Sequence, residues 1–324
     1  MTLPASSKSN QAERYAAAPQ GNVTQTSHKH ETKQNTPSPN ATNTFEFRGG
    51  GTVLARVPYF VIGLYVLVAV LGPLLIDYDP VHTPLPDRLL APGEQTTTGG
   101  IAWLGTDALG RDILAQIVYG ARTSLSIGLA TVLVACVVGV TIGIVAGYAR
   151  GWLDAVLARI IDVLQAFPAI LLAIVIAGVF ARSVLVVVLA LSVTAWISFA
   201  RVTRGVALSV RERAWVDAAR VMGVPVRSIL GRHILPFTIG PVVALATLEF
   251  ALVVLAEAGL SFLGIGLPTT AVSWGQTIAN GQQYLETAWW ISTLPGIALS
   301  LLIINIGILG DQLTARYGHR RRQN

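Results

Sequence analysis

The chain has 324 residues, of which 52% are hydrophobic and 12% charged, and a formal net charge of +6. A soluble domain of this size carries about a quarter charged residues, so an ordinary soluble fold is excluded. A membrane β-barrel is excluded as well, because no stretches of about ten residues alternate in polarity. What is left is an all-α polytopic membrane protein, read from long apolar runs with short charged breaks. In such a chain excess Lys and Arg mark cytoplasmic segments, and no nucleic-acid partner is expected.

Residues 1–50 are rich in Ser, Thr, Asn, Gln, Pro and Gly and bury too little to order, which predicts a disordered cytoplasmic tail. His28, His30 and Glu31 in this tail lack the further ligands a metal site needs, so no metal is expected. The first apolar run starts near Val57, too far from the terminus for a cleaved signal peptide, and is taken as a retained span.

Six segments are long enough to cross about 30 Å of hydrocarbon: 57–76, 125–148, 160–181, 183–200, 237–257 and 291–309. The third carries Asp162 and Gln165, and Pro168 should kink it. Of the 23 Lys and Arg, nineteen fall in the two termini and in the breaks after spans two and four. The positive-inside rule then places both termini in the cytoplasm, in agreement with an even number of spans. Residues 57–312 form the six-span domain, and 313–324 a basic cytoplasmic tail.

Span two carries Gly139, Gly143 and Gly147 on one helical face, a spacing that permits close helix packing. Its Cys136, the one cysteine, is read as a packing residue. Glu249 and Glu257 share a face of span five. A structural role is favoured over a proton path, with Glu257 at the outer end within reach of water.

Several chemistries lack their residues. The only lysines are Lys8, Lys29 and Lys33, so the chain has no Gly-Lys-Ser/Thr phosphate loop and is not its own ATPase of that kind. It has neither HExxH nor GxSxG, and no histidine within a span, which argues against an intramembrane enzyme. Internal repeats and intramembrane ion ligands, the marks of an ion-coupled secondary transporter, are missing too. No cofactor is expected.

The Arg-rich break after span four, 211–236, reads as two short helices joined at Gly223-Val224-Pro225. Gly223 suits a helix C-terminus with positive φ, and Pro225 the first turn of the next helix. Ala218, Ala219 and Met222 form an apolar, mostly small-sided face suited to a groove on a partner. The alternative is a helix lying on lipid. In the preceding outer loop, Ile113, Leu114, Ile117 and Val118 share one face. This predicts a surface helix before span two, its start capped by Thr106 or Asp107.

The run Asp217-Ala218-Ala219, Gly223 and His233-Ile234-Leu235-Pro236 resembles the EAA loop of ABC-importer permeases, with Asp for Glu and His for the first Ile. The form of its end resembles the dipeptide, oligopeptide and nickel branch. An ordered set of further pieces resembles the C-type subunit of that branch: Leu104-Gly105-Thr106-Asp107, Gly110-Arg111-Asp112, Ala166-Phe167-Pro168, Glu257-Ala258-Gly259-Leu260-Ser261, Ser273-Trp274-Gly275, Trp289-Trp290 and Leu309-Gly310-Asp311. The resemblance runs from about residue 57 to 317. It implies a type I importer fold, a second homologous permease subunit, cytoplasmic ATPase subunits and an extracytoplasmic solute-binding protein. It also implies an ATPase-coupling role for Asp217, Ala218, Ala219, Gly223, Leu235 and Pro236. The loop with Gly105, Thr106, Asp107, Gly110, Arg111 and Asp112 is then a docking surface for the binding protein. Peptides or related solutes are the implied cargo.

Overall fold

The computed structural model describes residues 56–80, 82–268 and 270–322, with side chains to Ala315; the expected tail over 1–50 and the basic side chains at the C-terminus lie outside the described residues. Among the described residues the fold is helical, with two isolated β-bridges and no strand.

Helix α1 (Val57–Leu75) has Pro58 in its first turn, where no amide donor is needed. Its 19 residues rise about 28 Å, close to the thickness of the hydrocarbon core. Helix α2 (Ile113–Ala149) has 37 residues, and the Asp112 carboxylate caps it by accepting from the Ala115 amide at 3.0 Å. The expected surface helix before span two is therefore the first part of α2 itself, and the cap is Asp112 in place of Thr106 or Asp107. The physical reason is packing: Ile113 and Val118 are buried, so the run has partners to fold against and no need of a lipid surface.

Arg150 and Gly151, both at positive φ, end α2 and turn the chain into α3 (Gly151–Gln165). Helix α4 (Ala169–Val179) follows after Pro168 at a bend of 84°. The third span is thus a broken pair, sharper than a kink, since proline removes an amide and fixes an extended entry. Helix α5 (Val184–Arg211) starts at Ser183, whose hydroxyl accepts from the Leu185 amide. It runs eleven residues past the expected span end at Ala200. Helix α6 (Ala214–Val221) ends in a Schellman turn: the Val224 amide reaches the Ala219 carbonyl at 3.0 Å, with Gly223 at φ 73°.

The second helix of this break is not short. It is the start of α7 (Val226–Phe262), which passes through π-helical turns over Ile229–Ile234 before Pro236 and Pro241. Wider turns accommodate the ring and missing amide of a proline that would otherwise break the ladder. A short α8 (Trp274–Gly281) and the long α9 (Trp290–Arg322) complete the chain, and the last residues expected as a tail continue α9 to Arg322. Among the described residues, five helices are long and apolar enough to cross a membrane singly, and the bent α3–α4 pair makes a sixth if it is one span.

The most extensive helix pair is α2 with α5, which meet through small residues. A Cβ on Gly139 or Gly143 would run into the Trp196 or Ala200 carbonyl of α5, and one on Gly147 would lie 2.7 Å from that of Arg204. Bare backbone is what lets the axes approach so closely.

Candidate functional site

Two constructions stand at opposite ends of α2. At its C-terminal end, α6 and the turn at Gly223 form a hairpin with the start of α7. Val216 and Ala219 point inward into a cluster with Ile144, Val206, Ala207, Val210, Ile229 and Ile234. Burying Val216 contributes about 1.5–3 kcal/mol, enough to hold a two-turn helix that would not stand alone. The outward face carries Asp217, Ala218, Val221 at 89% exposure and Met222 at 74%. The expected face of Ala218, Ala219 and Met222 is therefore split: Ala219, 4% exposed, is packed against its own chain. Ala218 and Ala219 are 100° apart on a helix, so adjacent alanines cannot both face a partner squarely.

Aromatic and cationic contacts bind the hairpin to α2 and α7. Trp215 stacks on Phe237 at 5.8 Å and sits beside His233 at 5.6 Å, both in α7, while Arg213 lies over the Phe237 ring. Arg211 and Arg220 both lie over Tyr148 at the end of α2, at 5.5 and 5.0 Å. Arg220 also donates from Nε to the Tyr148 hydroxyl at 3.2 Å and from Nη1 to Asp217 at 3.2 Å. Beside the hairpin, Arg150 pairs with Glu212, and Arg204 of α5 grips Asp154 of α3 with two bonds of 2.5 and 2.8 Å. Leu235 and Pro236, both exposed, stand just beyond the π-helical turns.

At the N-terminal end of α2 the loop over residues 84–112 is a sealed knot. Asp107, buried, accepts from the Leu109 and Arg111 amides at 2.9 Å each, from Arg111 Nε at 2.7 Å and from Gln116 Nε2 at 3.0 Å. Gln116 Oε1 in turn accepts from the Thr277 hydroxyl of α8 at 3.0 Å. The Thr106 hydroxyl accepts from the Leu90 amide and donates to the Asp87 carbonyl, and its own carbonyl accepts from Trp290 Nε1 at 3.1 Å. Gly105, at φ 80°, passes so close to Trp290 that a Cβ would lie 2.6 Å from the indole nitrogen. Gly110, at φ 82°, donates to the Asp107 carbonyl. The six motif residues thus tie the start of α2 to α8 and α9. Gln116, Thr277, Trp290 and Trp274, which donates from Nε1 to the Ile117 carbonyl at 2.9 Å, belong to the same knot; the two tryptophans were visible only within matched motifs, and nothing marked Gln116 or Thr277.

Glu257 is 0% exposed, which corrects the expectation that water reaches it. Its carboxylate accepts from Ser124 of α2 and Ser261 at 2.7 Å each, with Ser273, the cap of α8, as a third hydroxyl partner. Glu249 is also buried, with Ser198 of α5 beside it.

Residues 139–323 match the model of the family described as binding-protein-dependent transport system inner membrane component. The chain is 35% identical over 260 residues to the dipeptide transport system permease protein DppC of Alkalihalophilus pseudofirmus, covering 80% of this chain and 84% of the relative. It is 33% identical to the di/tripeptide transport system permease protein DppC of Pseudomonas aeruginosa, covering 77% and 82%. It is 35% identical to the glutathione transport system permease protein GsiD of Pectobacterium atrosepticum, covering 65% and 70%. Among solved structures, the inward-facing MetNI methionine ABC transporter aligns over 63% of this chain and 97% of its own, with a TM-score of 0.52 at 19% identity, a likeness of fold. A helical bundle whose apolar spans are closed at one end by a polar knot and at the other by a short docked hairpin, matched over most of its length by transport permeases, belongs to the family of binding-protein-dependent transport system inner membrane components: it is a permease subunit of an ABC importer and not an enzyme.

Proposed function

We propose that the chain is the C-type half of a heterodimeric permease for di- or oligopeptides or a related solute such as glutathione, with both termini and α6 in the cytoplasm. Nineteen of 23 Lys and Arg on one side support this orientation, and the relatives' cargoes support the solute class. ATPase subunits engage the outward face of α6. The second permease completes the path, and the solute-binding protein docks on the knot at the other end of α2. The observation that carries the reading is the hairpin itself: a two-turn helix with exposed Ala218, Val221 and Met222, clasped by Tyr148, Trp215 and Phe237 to α2 and α7. A push on α6 therefore reaches the spans through packed rings and guanidinium groups.

Gly223→Val tests the coupling. Nothing lies within 4 Å of a Cβ there, so the cost is confined to backbone strain at φ 73°, about 1–3 kcal/mol for a β-branched residue. In the reconstituted importer the variant is expected to insert and co-purify with its partners while losing uptake. Wild-type uptake by this variant would remove the coupling role. Single cysteines at positions 10 and 320 on a Cys136→Ala background test the orientation: impermeant labelling from outside intact cells would reverse it.

A further inference from the structure

Helix α1 is held to its neighbours along one side. The Tyr65 hydroxyl donates to the Ala298 carbonyl of α9 at 2.7 Å, and the Tyr119 hydroxyl of α2 donates to the Ile76 carbonyl at 3.1 Å. A Cβ on Gly72 would run into Val118, so α1 and α2 cross there in close contact. Next to this crossing a groove of about 380 Å³ lies between the two helices. Val66, Val70 and Leu74 form one wall, Leu125 and Leu129 the other, and the buried Ala69 its floor. Val70, Leu74 and Leu129 are more than half exposed, so the chain itself leaves the groove uncovered.

One charged residue lines this groove, Arg122. It is exposed, and its guanidinium has no acceptor among the described residues, whereas nearby Arg111 is taken by Asp107. Of the α2 residues in the groove, Arg122 stands nearest the crossing, three positions before the apolar run 125–148. That is the level at which a lipid headgroup meets its chains, where long cationic side chains settle. Leu125 and Leu129 continue away from it for about 10 Å along the helix. Ser126 does not break the apolar wall, because its hydroxyl is spent on the Thr123 carbonyl at 2.9 Å. The groove therefore offers one cation at one end and hydrocarbon beyond it.

We propose that the α1–α2 groove is a binding site for one anionic phospholipid, with the phosphate on Arg122 and an acyl chain lying past Val70 and Leu129. A guanidinium fork matches phosphate oxygens in pairs, and the chain covers apolar surface that α1 otherwise leaves open. A second polypeptide would have to bring a desolvated acid to this arginine, at a cost that a phospholipid avoids by carrying anion and chain in one molecule.

The test takes the full chain, alone and in the assembled importer, into detergent with equal amounts of phosphatidylglycerol and phosphatidylcholine, and reads retained lipid by native mass spectrometry. Wild type is expected to hold phosphatidylglycerol in preference, in both forms. Arg122→Gln should lower its retention about tenfold, the scale of one lost hydrogen bond to a charged group. Arg122→Lys should recover part of it. Ser126→Trp, which fills the groove without touching the cation, should lower retention of both lipids at an unchanged melting temperature. Arg182→Gln, at the exposed turn between α4 and α5, should change nothing. Equal retention of the two lipids by wild type overturns the site, as does undiminished phosphatidylglycerol on Arg122→Gln. Loss of the lipid on assembly, together with failure of Ser126→Trp to co-purify with the other permease, overturns it as well and makes the groove an interface between subunits.

Discussion

The two ends of α2 differ in how they use polar groups. At its start the carboxylate, hydroxyl and amide side chains of Asp107, Thr106 and Gln116 are all engaged within the chain and buried. At its end, Asp217 is exposed with one weak partner, and the apolar tips of Val221 and Met222 stand in the open. A buried network that is fully satisfied rigidifies, because any displacement orphans several groups at once. Adjacent exposed apolar tips on a docked helix mark a surface for a partner or for lipid. The first end therefore behaves as an anchor that holds α2, α8 and α9 in register, and the second carries the proposed ATPase contact. Substitutions at the two ends should divide accordingly, into loss of the fold and loss of transport with the fold intact.

The largest effect is expected for Gly105→Val in the knot. Its side chain has no room between Trp290 and the Leu90 carbonyl, 2.6 and 2.7 Å from a Cβ, and the backbone is at φ 80°. Crowding and strain together should cost on the order of 3 kcal/mol or more. The purified subunit should show a much lowered melting temperature and poor accumulation in the membrane. An unchanged melting curve would show that the knot does not anchor the fold.

Glu257→Leu comes next, because it extends the anchor into the spans. It leaves the hydroxyls of Ser124, Ser261 and Ser273 without their acceptor, at a cost of about 1–3 kcal/mol. Glu257→Gln retains an acceptor oxygen and should lose less. Equal melting temperatures for the two variants would refute the view that this acid is a structural acceptor.

The sharpest contrast comes from two adjacent alanines. Ala219→Trp forces a large ring into the cluster around Val216 and Ile234 and should lower stability. Ala218→Trp points outward and should leave melting unchanged while abolishing uptake in the reconstituted importer. If Ala218→Trp transports normally, the outward face of α6 is not the ATPase contact, and a lipid-lying helix is the better account.

Much of this division was legible in the sequence. Asp217-Ala218-Ala219 followed by Gly223 marked the hairpin, and the glycine fell at positive φ as its position after a short helix required. Pro168 marked the break in the third span, though not the size of the bend. What could not be read was anything set by contacts between distant segments. Gln116 looks like any polar residue near a helix start until Thr277, 161 positions away, comes within 3.0 Å of it. Glu257 looked accessible because its place at a helix end is visible in the sequence, while the serines of α2 and α8 that enclose it are not. The alanine pair was misread for a different reason: composition showed that both were small, and only the helical phase relative to Val216 shows which one faces inward.

The smallest effect concerns Tyr78, in the segment leading from α1 to the knot. Its ring packs on Tyr119 at 5.3 Å, and among the described residues its buried hydroxyl has no hydrogen-bond partner. Burial, with the carboxylates of Asp107, Asp112 and Asp79 adding to it against Arg111, pushes its pKa up to about 12 from an ordinary value of 10.0. The folded chain thus holds the phenol neutral more tightly than the unfolded chain does. The contribution to stability is full below pH 10 and is lost as pH rises through about 12. Tyr78→Phe removes both the unpartnered hydroxyl and this titration. At neutral pH the variant should melt within about 0.5 kcal/mol of wild type or slightly above it, since no hydrogen bond is lost. Between pH 10 and 12 it should decline less steeply than wild type. Parallel declines for the two proteins over that range would show that the phenol is not sealed, and that the segment before the knot is looser than the knot itself.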